Sequence, residues 1–166
     1  MKINVLVNGI LDRIGSTTAR NVLRAEDMCL IPVSVTACGS YRKASVNQIE
    51  ISLVDPSEIQ VHLENPSSLL GYGLPNVVVD FSPDSFFGQA IPDYLDAKTS
   101  FVLLSVGSYD DSAARLSKMI KNLGVNIALL PEDSSEAQIM TAIRHLHQKN
   151  EANIFGQVIS LEEMAA

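Results

Sequence analysis

The sequence predicts an α/β domain: a doubly wound, mostly parallel β-sheet with helices on both faces. Three observations point to it. Apolar, β-prone runs alternate with amphipathic stretches from end to end, the pattern of strands joined by crossover helices. The runs 77–81 (VVVDF) and 101–106 are predominantly apolar, as strands covered on both faces are. The first run ends in a glycine turn that leads directly into a helix. A chain of 166 residues with 46% hydrophobic and 19% charged side chains is long and apolar enough for one sizeable core. One domain over 1–166 is expected, with no internal repeat, low-complexity stretch or linker.

Each element follows from its residues. Residues 3–7 form a short strand ended by Asn8-Gly9, and 16–25 a helix with Ser16 or Thr17 as N-cap. Residues 29–36 (CLIPVSVT) read as a second strand in which Pro32 demands an edge or a bulge. Residues 39–43 read as a polar loop, and the alternation Val46, Ile49, Ile51, Leu53 as one or two short strands. A short helix is expected over 56–64, a loop over 65–75, and a helix capped by Ser82 or Asp84 running to Ala97. Asp110 and Asp111 cap a helix over 112–123 that Gly124 stops, and 125–130 is the next strand. Residues 134–150 make an amphipathic helix, and 154–161 either add a last strand or pack across the domain.

Bulk charge and cysteine content narrow the partners. A net charge of -7 repels phosphate backbones, which argues against nucleic acid. Cys29 and Cys38 lack metal-ligand spacing and point to neither disulfide nor zinc site, so a reducing compartment is expected, cytoplasm or plastid stroma. The opening MKINVLVNG reads as a strand rather than a signal peptide, and no apolar run approaches the roughly 18 residues of a membrane helix. A soluble protein without membrane insertion is expected.

The chemistry-bearing motif is the turn after the first strand, Val7-Asn8-Gly9-Ile10-Leu11-Asp12-Arg13-Ile14-Gly15. In an open parallel sheet, ligands bind beyond the carboxyl ends of the strands. Gly9 suits the tight turn and Gly15 the close helix–sheet approach, the outer glycines of a Rossmann-like dinucleotide loop. Leu11 and Asp12 stand where a further glycine would let backbone N–H groups reach a diphosphate. The Asp12 carboxylate repels that diphosphate unless it turns away; Arg13 either offsets the charge or pairs with Asp12.

This loop resembles the N-terminal motif of the dihydrodipicolinate reductase family, its plant-type branch above all, where it reads approximately VNGCTGKMG. LIPVSVT (30–36), NVVVDFSPDSFFGQA (76–90) and FVLLSVGSYDD (101–111) resemble the family's segments in the same order, so the similarity covers residues 3–131. The resemblance implies a cofactor domain for NADPH or NADH, with Gly9, Asp12, Arg13, Ile14, Gly15, Thr36, Phe81, Ser82, Ser105 and Val106 at the cofactor positions. The departures imply weakened binding: Asp12 replaces the family's central glycine, and Leu104-Ser105-Val106-Gly107 replaces its GTTG. Pro131-Glu132-Asp133-Ser134-Ser135 replaces the segment that closes the nicotinamide pocket. The family's substrate domain, with His-His-x-x-Lys and Ser-Gly-Thr motifs, has no counterpart in 132–166, so no catalytic residue is assigned. The expected role is a non-catalytic binding, assembly or regulatory module. The alternative is an NAD(P)-dependent reductase of the lysine/diaminopimelate type completed by a partner or second subunit.

The remaining candidates have bland readings. His145 and His147 lie about 200° apart on a helix and cannot jointly grip one ligand, Lys149 beside them notwithstanding. His62 reads as surface. Asp80, at the carboxyl end of its strand, reads as a turn acceptor. Asp93, Asp96, Asp110 and Asp111 read as caps and solvated faces. Glu132, Asp133 and Glu136 read as acids favoured at a helix start, and no metal site is assigned. Ser105 and Ser108 lie in no nucleophile-elbow motif. Homo-oligomerisation or a protein partner is expected through the helix 134–150 and the tail residues Ile154, Phe155, Val158 and Ile159.

Overall fold

The computed structural model describes residues 2–36, 39–55, 75–81, 99–105, 109–121 and 124–165. The expected helices over 56–64 and from residue 82 or 84 to 97 lie outside them. So do most of the 65–75 loop and Cys38, His62, Ser82, Asp93, Asp96, Val106 and Ser108.

Six parallel strands form the main sheet in the order β2-β1-β6-β7-β8-β9, namely Met28–Leu30, Ile3–Asn8, Val77–Asp80, Ser100–Leu104, Ile127–Leu130 and Val158–Ile159. A smaller sheet carries β3 (Val33–Val35), β5 (Ile49–Val54) and β4 (Lys43–Val46) in that order, with β3 parallel and β4 antiparallel to β5. β2 and β3 are the predicted second strand, divided at Ile31-Pro32. Proline offers no N–H to a ladder, and at this break the chain changes partner from β1 to β5. With β2 and β3 taken as one broken strand, β5 lies beyond it, β1 next, and β6, β7 and β8 on the other side. That is the strand order of a Rossmann-like doubly wound sheet.

Helices α1 (Arg13–Arg24), α2 (Tyr109–Ile120), α3 (Glu136–Glu151) and α4 (Leu161–Ala165) follow in chain order. Strand side chains alternate between two cores. Val5, Val7, Val77, Val79, Val102, Ala128 and Leu130 face Ala19 and Val22 of α1 and Ile139, Ile143 and Leu146 of α3. Leu6, Val78, Phe101, Leu103, Ile127 and Leu129 face Leu116 and Ile120 of α2. Both faces are therefore covered.

Three element boundaries differ from expectation. α1 begins at Arg13 with Asp12 as N-cap, one turn before Ser16 and Thr17. Those hydroxyls accept from the Arg20 guanidinium inside the helix instead, at 3.0 and 3.3 Å. α2 begins at Tyr109, so Asp110 and Asp111 occupy its first turn rather than its cap. Residues 43–54 form a hairpin around Asn47 and Gln48, both at positive φ (48° and 69°). The tail supplies β9, which pairs parallel with β8. Ile159 is thus fully enclosed and Val158 packs on the core, so of the four tail residues expected at an association surface only Ile154 is markedly exposed.

At the amino edge of the main sheet a polar network ties strands to helix. Asn4 N–H donates to Asn76 Oδ1 at 2.9 Å, and Asn76 N–H to Asn4 O at 2.8 Å. Ser100 Oγ donates to Asn150 Oδ1 of α3 at 2.8 Å. No helix among the described residues is long and apolar enough to cross a membrane.

Candidate functional site

The chain leaves β1 towards β2 on one side and later returns as β6 on the other, so the strand order reverses between β1 and β6. Asn8 and Asp80 face each other in register at the carboxyl ends of these two strands, both buried. Crevices at such reversals are where ligands enter open α/β sheets.

The turn beyond Asn8 is held from the β3 side. Gly9 N–H donates to Val35 O at 3.0 Å, Ile10 N–H to Ser34 Oγ at 3.2 Å, and Val35 N–H to Asn8 Oδ1 at 3.1 Å. Gly9 adopts φ +73°, a conformation glycine supplies without strain. Asp12 N–H closes the turn onto Gly9 O at 3.0 Å, and Asp12 O receives Ser16 N–H at 2.9 Å, the first bond of α1. A Cβ at position 15 would fall 2.1 Å from Gly9 O and 2.7 Å from Gly9 C. The helix therefore packs on the turn as closely as backbone allows.

The amino end of α1 is open. The N–H groups of Arg13, Ile14 and Gly15 have no intrahelical acceptor, and they meet none elsewhere among the described residues. Asp12 makes no side-chain cap; its Oδ2 leans over the Gly9 turn, 3.5 Å from where a Cβ on Gly9 would stand. Asp12 and Arg13 are both exposed and form no ion pair with each other or with another described residue. α3 starts differently, because Ser135 Oγ accepts Gln138 N–H at 3.2 Å and Gln138 Oε1 accepts Ser135 N–H at 2.8 Å. That capping box satisfies the third-position N–H of α3, whose counterpart in α1, that of Gly15, has no acceptor.

A cleft of about 430 Å³ opens between the starts of these two helices. α1 contributes Asp12, Arg13, Ile14, Thr17 and Thr18; the opposite wall is Ser134, Glu136 and Ile139. Glu136 is steadied across the gap, its Oε2 accepting from Asn21 Nδ2 at 3.1 Å.

The other predicted cofactor positions among the described residues share this edge. Thr36 follows β3 and is fixed by its N–H to Val54 O at 2.9 Å. Phe81 follows β6 and packs on the α1/α3 core. Ser105 follows β7, its N–H donating to Leu130 O at 2.8 Å. Sequence reasoning missed Asn8 and Ser34, which pin the turn, and the threonines of the cleft. A buried asparagine ending a strand just before a glycine was the available signal for Asn8. Thr17 read as a cap, and Thr18 carried no signal.

His145 and His147 do not line this cleft. Burial of the His145 ring, with Lys149 beside it, pushes its pKa below the ordinary histidine value, and Glu163 opposes the shift. His147 Nε2 lies 4.0 Å from Glu151, while its Nδ1 is buried without a partner. Tyr109 is pushed above the usual phenol range by burial and by Glu163, against a hydrogen bond with Ser160. Among the described residues no three His, Cys, Asp or Glu side chains gather as a metal-binding group. No protein-family model matches the chain, and no curated protein matches it.

Proposed function

We propose that the chain is a reductase-like Rossmann module, related to the dihydrodipicolinate reductases, that works by binding and assembly or regulation rather than by catalysis. One observation carries this reading. The open amino end of α1, backed by the Gly9 turn and the close approach at Gly15, lies at the strand-order reversal, yet the uncapped Asp12 carboxylate leans over that turn. Free N–H groups and the helix dipole favour an anion there. A carboxylate beside a diphosphate costs about 1 kcal/mol at 4 Å in water and more where solvent is excluded. A diphosphate carries at least two such charges, about 2 kcal/mol in all, so dinucleotide affinity is reduced by about tenfold or more relative to a glycine loop.

Calorimetric titration with NADPH and NADH, on the natural protein and on Asp12→Gly, tests the reading. Weak binding by the natural protein and binding at least tenfold tighter by the variant support it. Equal affinities would remove Asp12 from the account, and turnover of a dihydrodipicolinate-type substrate with either cofactor would end the non-catalytic reading.

A second reading is favoured by Arg13, which lines the cleft without an ion-pair partner among the described residues and whose charge offsets that of Asp12. On that reading the module is an NAD(P)-dependent reductase whose site a partner or second subunit completes. Cofactor binding by the natural protein, together with an oligomer in sedimentation, favours it; a monomer that ignores both cofactors removes it.

A further inference from the structure

The cleft between α1 and α3 has a chemistry that a bare diphosphate does not match. Two carboxylates, Asp12 and Glu136, line it against a single guanidinium, Arg13. A phosphate dianion would meet more repulsion than attraction there. Ile14 and Ile139 supply apolar wall. Thr18 also lines the cleft; it is only 3% exposed, and its hydroxyl bonds to no described group. A buried hydroxyl without a partner is costly. The only fully enclosed side-chain N or O lacking a partner among the described residues is His147 Nδ1. The Thr18 hydroxyl is therefore not walled in, and the space it borders is the cleft.

We propose that this cleft binds a small aliphatic zwitterion, an α-amino acid with a hydrocarbon side chain. The carboxylate meets Arg13 and the free N–H groups at the start of α1, where the dipole favours negative charge. The ammonium meets Asp12 and Glu136, the latter already held by Asn21. The hydrocarbon body lies against Ile14 and Ile139, and the Thr18 hydroxyl completes the polar contacts. The volume of about 430 Å³ is in the range of small-molecule sites. The inference does not depend on dinucleotide binding, although both use the open end of α1. Asp12→Gly separates them, because it strengthens NADPH binding and weakens amino-acid binding.

The test is calorimetry with L-leucine beside three truncated probes: 4-methylpentanoate without the ammonium, 3-methylbutylamine without the carboxylate, and glycine without the body. Leucine is expected to bind and each truncated probe to bind about tenfold more weakly or worse, since each loses a charge-assisted or apolar contact. Glu136→Gln keeps an acceptor for Asn21 and is expected to weaken leucine about tenfold; Thr18→Val, about fivefold. Glu136 is at the surface, so its variant reports even if Thr18→Val fails to fold. Leucine that does not bind, 4-methylpentanoate that binds as tightly, or a Glu136→Gln variant of unchanged affinity would overturn the proposal. NADPH titrated alongside keeps the two readings distinct: leucine binding without NADPH binding removes only the dinucleotide reading, and the reverse removes only this one.

Discussion

At Gly15 the methyl group of an alanine would sit 2.1 Å from a backbone oxygen that cannot rotate away. Gly15→Ala must push α1 off the Gly9 turn, and overpacking of this kind costs about 1–3 kcal/mol or more. Urea denaturation is expected to show that loss, and a change below about 0.5 kcal/mol would refute the close approach. Gln48 is the opposite case. At φ 69° it holds a conformation that costs a side-chain-bearing residue roughly 1–2 kcal/mol. Glycine is the usual occupant of that place in a two-residue hairpin turn, so Gln48→Gly is expected to raise stability by about 1 kcal/mol in the same assay. Gly15 was legible because a glycine six residues after a strand-ending glycine fits a known loop. The Asn47-Gln48 turn was not, because Asn47 suits a positive φ but Gln48 stands where Asn-Gly has its glycine. The start of α1 was misplaced for a related reason: Ser16 and Thr17 have cap chemistry, but close packing at position 15 draws the first turn back to Arg13.

Between elements, a bidentate ion pair joins Asp27, just before β2, to Arg144 of α3 at 2.7 and 3.1 Å. The Arg144 hydrogen bond holds the Asp27 carboxyl below its usual range. A carboxyl whose pKa falls on folding adds stability that is complete above its unfolded value near 3.9 and is lost as pH drops through the folded one. Both side chains are about half exposed, so the contribution stays under about 1 kcal/mol. Asp27→Asn should cost that much at pH 7 and less at pH 2; an equal cost at both would show that the pair's charge is irrelevant. The Ser100–Asn150 bond is different because both residues are buried. Ser100→Ala leaves Asn150 Oδ1 without its donor and is expected to cost about 1–3 kcal/mol at any pH, read as a lowered urea midpoint. Among elements, the buried strands were legible because run length is a local signal; the S-x-x-Q spacing at Ser135 and Gln138, equally local, went unread. Proline at position 32 foretold an irregularity, but not the change of partner, which depends on where β5 lies.

Across the whole molecule, the alternation of strands and helices sufficed for the doubly wound sheet, and the glycine turn for the edge where a ligand would enter. The cleft itself was not legible. It joins residues 12–18 to residues 134–139, and no periodicity links positions so far apart in sequence. The broken second strand has one more consequence. The three-stranded sheet is fastened to the turn by Gly9, Ile10 and Val35 amides whose acceptors lie across the β1–β3 seam. Local opening in proteins proceeds by contiguous cooperative units, and this seam is a natural boundary for one. In native-state hydrogen exchange, those three amides should share one opening free energy with the 43–54 hairpin, below that of the core amides of β6 and β7. Loosening the hairpin would then expose the glycine turn while the six parallel strands stay closed, making the far end of the small sheet a remote control on how long the entrance stays formed.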